Sequence, residues 1–270
     1  MLDYHIHTSL SDDSDTPYYE MLDRACRLGL KEVAVTDHHD PDYTDPDFPF
    51  QLDFNRYHMM LESAVMEYHK RIEVKRGLEL GIQKTCIDKC LQCANAYPYD
   101  FIIGSFHMSC GMVIDMPEFY QDRSGIEIQE SFYSYMLECL KEFKDYSVIG
   151  HINIVDRYQH LFRPEEPLNP PEIMEIVREI LKIVIYDGKG IEFNTSSFRY
   201  KTPLTVPSPE ILKTYKELGG EIITLGSDAH TPDYIAYNFR YAAEMLESLG
   251  FKYVSSFKEM KPEFIKISHL

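Results

Sequence analysis

Short apolar runs alternate along the chain with segments whose apolar residues recur every three to four positions. The runs predict seven strands: Leu2–His7, Glu32–Thr36, Val74–Gly81, Phe101–His107, Val148–His151, Gly190–Asn194 and Glu221–Gly226. Helical stretches lie between them, with start and stop signals. Asp15-Thr16-Pro17 opens the first and Gly29 ends it, while Ser208-Pro209 opens another that Gly219-Gly220 closes. Pro170-Pro171 precedes a helix with an apolar stripe through Ile173, Ile176, Ile180 and Ile183. Strand and helix in repeated alternation imply a parallel sheet with right-handed crossovers. The expected fold class is α/β. A closed barrel is preferred over an open doubly wound sheet because no helix-only region is left over.

Metal-ligating residue types gather where these strands end. The first ends in His5-Ile6-His7, the second in Asp37-His38, the fourth in His107 and the fifth in His151. The third carries Glu79, and the seventh runs into Asp228-Ala229-His230. In a parallel barrel all these ends share one face, where such folds build their sites. Residues two apart on a strand point to the same side, so His5 and His7 form one pair. Six of the 11 histidines fall at strand ends and none of those six in a predicted helix. Buried imidazoles and carboxylates at this density are costly without a cation, and the mixture suits Zn²⁺, Fe²⁺ or Mn²⁺. The pattern predicts a multinuclear metal centre.

Composition narrows the classes. The 270 residues are 44% hydrophobic and 26% charged, ordinary for a folded protein of α/β-barrel size. The 27 Lys and Arg against 44 Asp and Glu leave a net charge of −17, which argues against nucleic acid or an anionic membrane as partner. No apolar run approaches the roughly 20 residues of a membrane span. The start, MLDYHIHTSL, lacks the basic and apolar regions of a signal peptide, and six cysteines read as reduced thiols. A cytoplasmic location is expected. There is no Gly-rich phosphate loop, no Gly-x-Ser-x-Gly elbow and no dinucleotide fingerprint.

The set His5-x-His7, Asp13, Thr36-Asp37-His38, Glu79, His107, His151 and Asp228-x-His230 resembles the polymerase-and-histidinol-phosphatase (PHP) superfamily, with nine ligand positions matched in order. The resemblance implies a distorted seven-stranded (β/α) barrel, one unit over residues 1–270, with three divalent metal ions. It implies His5, His7, Glu79 and Asp228 on one ion, Glu79, His107 and His151 on a second, and Asp13, His38 and His230 on a third. Glu79 would bridge two ions, and Glu79, Asp228 and His230 would be the catalytic residues. Many relatives carry His where Asp13 stands; a carboxylate there favours Mn²⁺ or Fe²⁺ over Zn²⁺, and Asp12 is an alternative ligand. Ions of this kind generate hydroxide from water for attack on phosphorus, with arginines holding the phosphate. Arg157 and Arg199, expected on loops after the fifth and sixth strands, are the candidate phosphate-binding residues.

Within the superfamily, the length and the two arginines resemble the stand-alone histidinol-phosphate phosphatases. That implies hydrolysis of L-histidinol phosphate, a small phosphate monoester, in histidine biosynthesis. The alternatives are a nucleotide phosphatase, exonuclease or protein-tyrosine phosphatase of the same superfamily, or a non-catalytic metal-binding subunit. The segment from His39 to Asp53 holds five aspartates, Asp40, Asp42, Asp45, Asp47 and Asp53, with Tyr43, Phe48 and Phe50 and no Lys or Arg. It is expected to overhang the site, its aromatics covering an imidazole and its carboxylates meeting an amine. Asp3 and Asp37 are expected to orient imidazoles. His39 and His160 are further residues that the strand order brings towards the site. Cys86, Cys90 and Cys93 have the spacing of a radical S-adenosylmethionine iron–sulfur motif, but they also mark one face of a helix and read as core residues.

Overall fold

The structure, a computed structural model, describes residues 1–200 and 204–270, apart from the side chains of His160 and Tyr200. Its strands are β1 (Leu2–Ile6), β2 (Glu32–Val35), β3 (His38–His39), β4 (Glu73–Gly81), β5 (Phe101–Ser105), β6 (Met108–Ser109), β7 (Met112–Val113), β8 (Val148–Ile149), β9 (Gly190–Asn194), β10 (Ile223–Gly226), β11 (Tyr253–Lys258) and β12 (Lys261–Lys266). The helices are α1 (Tyr18–Arg27), α2 (Phe54–Tyr68), α3 (Ile87–Ala94), α4 (Pro117–Tyr120), α5 (Gly125–Glu142), α6 (Val155–Phe162), α7 (Pro171–Tyr186), α8 (Pro209–Glu217) and α9 (Phe239–Ser248).

Parallel pairing runs β1-β2-β4-β5-β8-β9-β10, with β3 also on β4. The ring closes where the chain after β10 returns to β1. Asp228 N donates to His5 O at 2.7 Å, and His7 N donates to Ala229 O at 2.9 Å. The seven expected strands are therefore the staves of a nearly closed parallel barrel. β2 and β3 behave as one strand interrupted at Thr36-Asp37, because Val35 faces Arg76 and His38 faces Glu79, the same offset on β4.

The expected helix signals act as read. Ser208 caps α8 through Ile211 N, and Gly29 (φ 75°) and Gly219 (φ 88°) take the left-handed conformation just after α1 and α8. On α7 the buried face is Ile173, Val177, Ile180, Leu181 and Val184. Ile176 and Ile183 sit at its margin, so the stripe is turned slightly from the one read in the sequence. The hairpin β11–β12, which the sequence did not announce, plugs the end of the barrel where the strands begin. There Phe257 lies 5.0 Å from Phe101, whose ring meets Tyr4 edge-on at 4.9 Å. Such ring pairs contribute about 0.5–1.5 kcal/mol each beyond their buried area. The opposite end, where the strands finish, stays open.

Cys86 and Cys90 are buried in the apolar core and Cys93 packs against it, the core role expected of a helix face. All six cysteines are free thiols.

Candidate metal centre

The open end gathers the strand-terminal residues around Glu79. This carboxylate is fully buried on β4. Its Oε2 lies 2.9 Å from His5 Nε2, 3.1 Å from His38 Nδ1 and 3.5 Å from His7 Nε2. Its Oε1 lies 2.9 Å from His151 Nε2 and 3.3 Å from His107 Nε2, and accepts from Ser105 Oγ at 2.6 Å. Burial alone would push the Glu79 carboxyl up. With the surrounding rings protonated, the charges of His38 and His5, with hydrogen bonds from His107 and His151, hold it well below the usual carboxylate range.

Asp228 Oδ1 completes one corner, 3.3 Å from His7 Nε2 and 3.9 Å from His5 Nε2. Asp13 Oδ2 completes another, 2.8 Å from His230 Nε2 and 3.7 Å from His38 Nε2. All nine expected ligands thus meet in one cluster. Three groupings bring their donor atoms within 4.8 Å of one another: His5 with His7 and Asp228, His38 with Glu79 and His107, and His7 with Asp13, His38 and His230. Asp12 is exposed and borders a separate surface cleft, so Asp13 is the aspartate that faces the cluster. The grouping differs from the expected one at His38, which stands between Glu79 and Asp13, at His7, which borders two groups, at Glu79, which groups with His38 and His107 and not with His5, His7 and Asp228, and at His151, which falls in none of the three.

The donor set fits cations on its own evidence. His7 Nε2, Asp13 Oδ1, His38 Nδ1 and His151 Nδ1 are buried without a hydrogen-bond partner. Each such atom costs about 1–3 kcal/mol unless something accepts its lone pair. His151 (φ 23°) and Asp228 (φ 54°) also hold left-handed backbone conformations, where non-glycine residues store strain at functional sites.

Further carboxylates decide which imidazole nitrogen faces inward. Glu192 Oε1 is 2.6 Å from His5 Nδ1, and Asp40 Oδ2 is 2.7 Å from His107 Nδ1. An ionised carboxylate only accepts, so each Nδ1 carries the proton and each Nε2 presents its lone pair to the cluster. The Asp228 carbonyl does the same for His230, at 3.0 Å from Nδ1. Two glycines make room. A Cβ on Gly226 would meet Glu192 Oε1 at 1.9 Å, and one on Gly81 would meet Asp40 Oδ2 at 2.1 Å.

Asp3 and Asp37 do not have the orienting role expected of them. Asp3 accepts from Ser227 N and Oγ and from Ala236 N, and Asp37 accepts from Thr8 N and Oγ. Both are fully buried and bind the loops that carry ligands, not the rings. Sequence reasoning missed Glu192. Its signal was a lone charge in the middle of the apolar strand Gly190–Asn194. Asp40 was assigned to a substrate-facing lid and instead braces His107.

The arginines fall differently. Arg157 lies on α6, not on a loop, because the chain turns helical directly after Ile154. It lines the cleft over the cluster and its Nη2 donates to Ser196 Oγ at 2.6 Å. Arg199, in a short 3-10 turn, donates from Nη2 to the Asp228 carbonyl at 2.8 Å and covers the Tyr234 ring. His39 accepts from Leu52 N at 3.1 Å and packs on Phe54, outside the cluster. The side chain of His160 is outside the described residues.

The cleft over the cluster measures about 370 Å³. It is walled by Asp13, His38, His107, His151, Asp228 and His230 from the cluster. Tyr43, Phe50, Ile114, Ile154 and Tyr158 supply apolar surface.

The profile of the PHP domain family matches residues 3–196. The chain belongs to the PHP domain family. A histidinol-phosphatase of Lactococcus lactis subsp. lactis is 30% identical over 262 residues, 96% of this chain and 95% of the relative. A probable histidinol-phosphatase of Clostridium acetobutylicum is 28% identical, covering 93% of this chain and 95% of the relative. Among solved structures, the Lactococcus lactis histidinol phosphate phosphatase in complex with zinc, L-histidinol and phosphate superposes with a TM-score of 0.86. It shares 28% identity and covers 97% of this chain and 98% of its own. This PHP chain is thus similar over nearly its full length to metal-dependent phosphatases. Among the described residues no helix is long and apolar enough to cross a membrane.

Proposed function

We propose that this chain is a histidinol-phosphatase, a metal-dependent phosphomonoesterase that hydrolyses L-histidinol phosphate to L-histidinol and phosphate in histidine biosynthesis. One observation carries the reading. Nine buried or half-buried His, Asp and Glu side chains converge, with orphaned lone pairs, on the floor of a cleft walled on one side by an arginine. The full-length likeness to a phosphatase that holds zinc, L-histidinol and phosphate supports the substrate.

The residues would hold three divalent ions, chosen among Zn²⁺, Fe²⁺ and Mn²⁺, with Glu79 at the centre of the donor set. When bound, such ions supply Lewis acidity towards phosphate oxygens and acidify water. The chain's own groups do the rest. Arg157, planar and permanently charged, binds phosphate oxygens at the cleft wall. Arg199 fixes the Asp228 carbonyl, and through it the loop that carries both Asp228 and His230. His230 is the most exposed imidazole of the cluster, with its side chain 25% accessible, and stands where the cleft opens. The ligands span residues 5 to 230, so the whole chain acts as one catalytic unit. Free thiols and a biosynthetic reaction fit the cytoplasm.

The test is phosphate release by protein reloaded with Mn²⁺, Zn²⁺ or Fe²⁺, from histidinol phosphate, nucleotides, phosphotyrosine and p-nitrophenyl phosphate. Histidinol phosphate should give the highest kcat/KM. A value no better than that for p-nitrophenyl phosphate refutes the reading.

A further inference from the structure

Asn194 and Ser196 are fully buried beside the cluster, and neither is a candidate ligand. Asn194 ends β9, where its N–H donates to Val206 O at 2.7 Å, and the following Thr195 N donates to Gly226 O at 2.9 Å. The Asn194 side chain is therefore fixed at its root. Donors face one end of its amide and carboxylates face the other. Oδ1 accepts from Ser196 N at 2.9 Å and from Ser196 Oγ at 2.5 Å. Nδ2 donates to Glu192 Oε2 at 3.1 Å and to Asp228 Oδ2 at 3.4 Å. Only this orientation of the amide is satisfied, since the reverse would set its oxygen against two carboxylates and its N–H groups against the Ser196 N–H. The bond from Ser196 N alone would be an ordinary Asx turn. Such a turn has no need of the two carboxylates on Nδ2.

Ser196 extends this set of bonds to the cleft wall. Its hydroxyl proton goes to Asn194, which leaves an Oγ lone pair to accept from Arg157 Nη2 at 2.6 Å. Every donor then points the same way, from the guanidinium through Ser196 and Asn194 to Glu192 and Asp228. A chain aligned like this is polarised along its length, and each bond strengthens the next. Arg199 reaches the same residue by another route, from Nη2 to Asp228 O. Both arginines are thus tied to Asp228, one through its backbone carbonyl and the other through Oδ2. Asp228 Oδ1 stays turned to His7 and His5.

We infer that Ser196 and Asn194 are positioning residues that hold the Arg157 guanidinium at a fixed place relative to the candidate ligands, and hold Asp228 and Glu192 through the same bonds. The inference rests on the phosphate-binding role proposed above for Arg157. A phosphoryl group must meet the arginine and the floor of the cleft at once. An arginine free to swing would spend part of its attraction to phosphate on being ordered. Ser196 stands at the arginine end of the chain, whereas Asn194 joins both ends. Loss of the Ser196 hydroxyl therefore loosens Arg157 and leaves the two carboxylates in place. Loss of the Asn194 amide disturbs both.

The probe is inorganic phosphate, titrated by calorimetry into protein loaded with Mn²⁺, with metal content checked by elemental analysis. It carries no alcohol, so the result does not depend on which ester is the substrate. Ser196→Ala should weaken phosphate binding about tenfold, as expected for a lost hydrogen bond to a charged group, with Mn²⁺ affinity and stoichiometry unchanged. Ser196→Thr, which restores the hydroxyl, should recover most of that loss. In an Arg157→Met background, Ser196→Ala should change nothing further, because its partner is gone. Asn194→Ala should weaken phosphate to a similar extent and Mn²⁺ as well. Wild-type phosphate affinity in Ser196→Ala overturns the inference. So does an equal loss with and without Arg157, which would make Ser196 a packing residue, and so does an Asn194→Ala protein that keeps its affinity for phosphate or for Mn²⁺. If these results hold but histidinol phosphate is not the preferred ester, the substrate reading falls alone. A wild type with no affinity for phosphate removes both.

Discussion

Glu192 offers the sharpest check on how the cluster is organised. Its Oε1 takes the His5 Nδ1 proton at 2.6 Å, while Oε2 accepts from His151 N at 2.8 Å and Asn194 Nδ2 at 3.1 Å. Glu192→Gln keeps the shape but leaves only one of the two ends able to accept. If the new amide faces His5, its N–H demands a lone pair on Nδ1. The ring proton then moves to Nε2, the atom aimed at Glu79 and Asp228. If the amide faces the other way, it meets two donors, His151 N–H and the Asn194 amide. Either orientation mis-sets one ligand residue. Loss of such a bracing contact costs about 10–100-fold in metal affinity, or about 1.4–2.7 kcal/mol. The assay is chelator competition with Mn²⁺ or Zn²⁺, with metal stoichiometry by elemental analysis at saturation. We expect weakened binding of one ion, unchanged stoichiometry at high metal, and a changed nitrogen-15 signature for one histidine tautomer. Gly226→Ala should copy the affinity loss, since its Cβ would sit 1.9 Å from Glu192 Oε1 and 2.7 Å from His5 Cβ. Wild-type affinity for every ion in Glu192→Gln would refute the reasoning.

Two further outcomes follow from the same geometry. Glu79→Gln removes the carboxylate that faces five imidazoles, so activity should fall about a thousandfold and bound metal by at least one ion per chain; a near-normal rate with full metal content would exclude a shared ligand. Asp156 is fully buried on α6, bonded among the described residues by the amides of Asn153 and Asn169, and burial pushes its carboxyl up to about 6. The folded state therefore holds this proton more tightly than the unfolded state. Its stabilising contribution is fully present below about pH 4 and is lost as pH rises through about 6, a change of about 3 kcal/mol. In urea titrations at several pH values, Asp156→Asn should gain on wild type between pH 4 and 7. A difference between the two that does not vary with pH would contradict the assignment.

The seven barrel strands were legible because apolar runs of strand length alternate with capped helices, and burial on both faces leaves a strong local signal. The candidate ligands were legible for a related reason. A histidine or carboxylate at the end of an apolar strand violates local pattern, and six such violations at corresponding positions have few explanations besides a cation. The hairpin β11–β12 carried no comparable signal, since its exposed outer strand has no regular alternation.

The sequence by itself indicated the parallel barrel, its site-bearing end and eight of the nine candidate ligands, because each of these stands in or just after a strand, whereas Asp13 came only through the family resemblance. Tertiary structure decided what surrounds them. It turned Asp3 and Asp37 to backbone amides, set Glu192 against His5 from across the barrel, put Arg157 on a helix, and left Asp45, joined by Asp115 from another loop, facing the cleft. Those contacts join residues tens to hundreds of positions apart. Their partners are fixed by strand register and by the space that Gly226 and Gly81 leave open, and no local pattern records either.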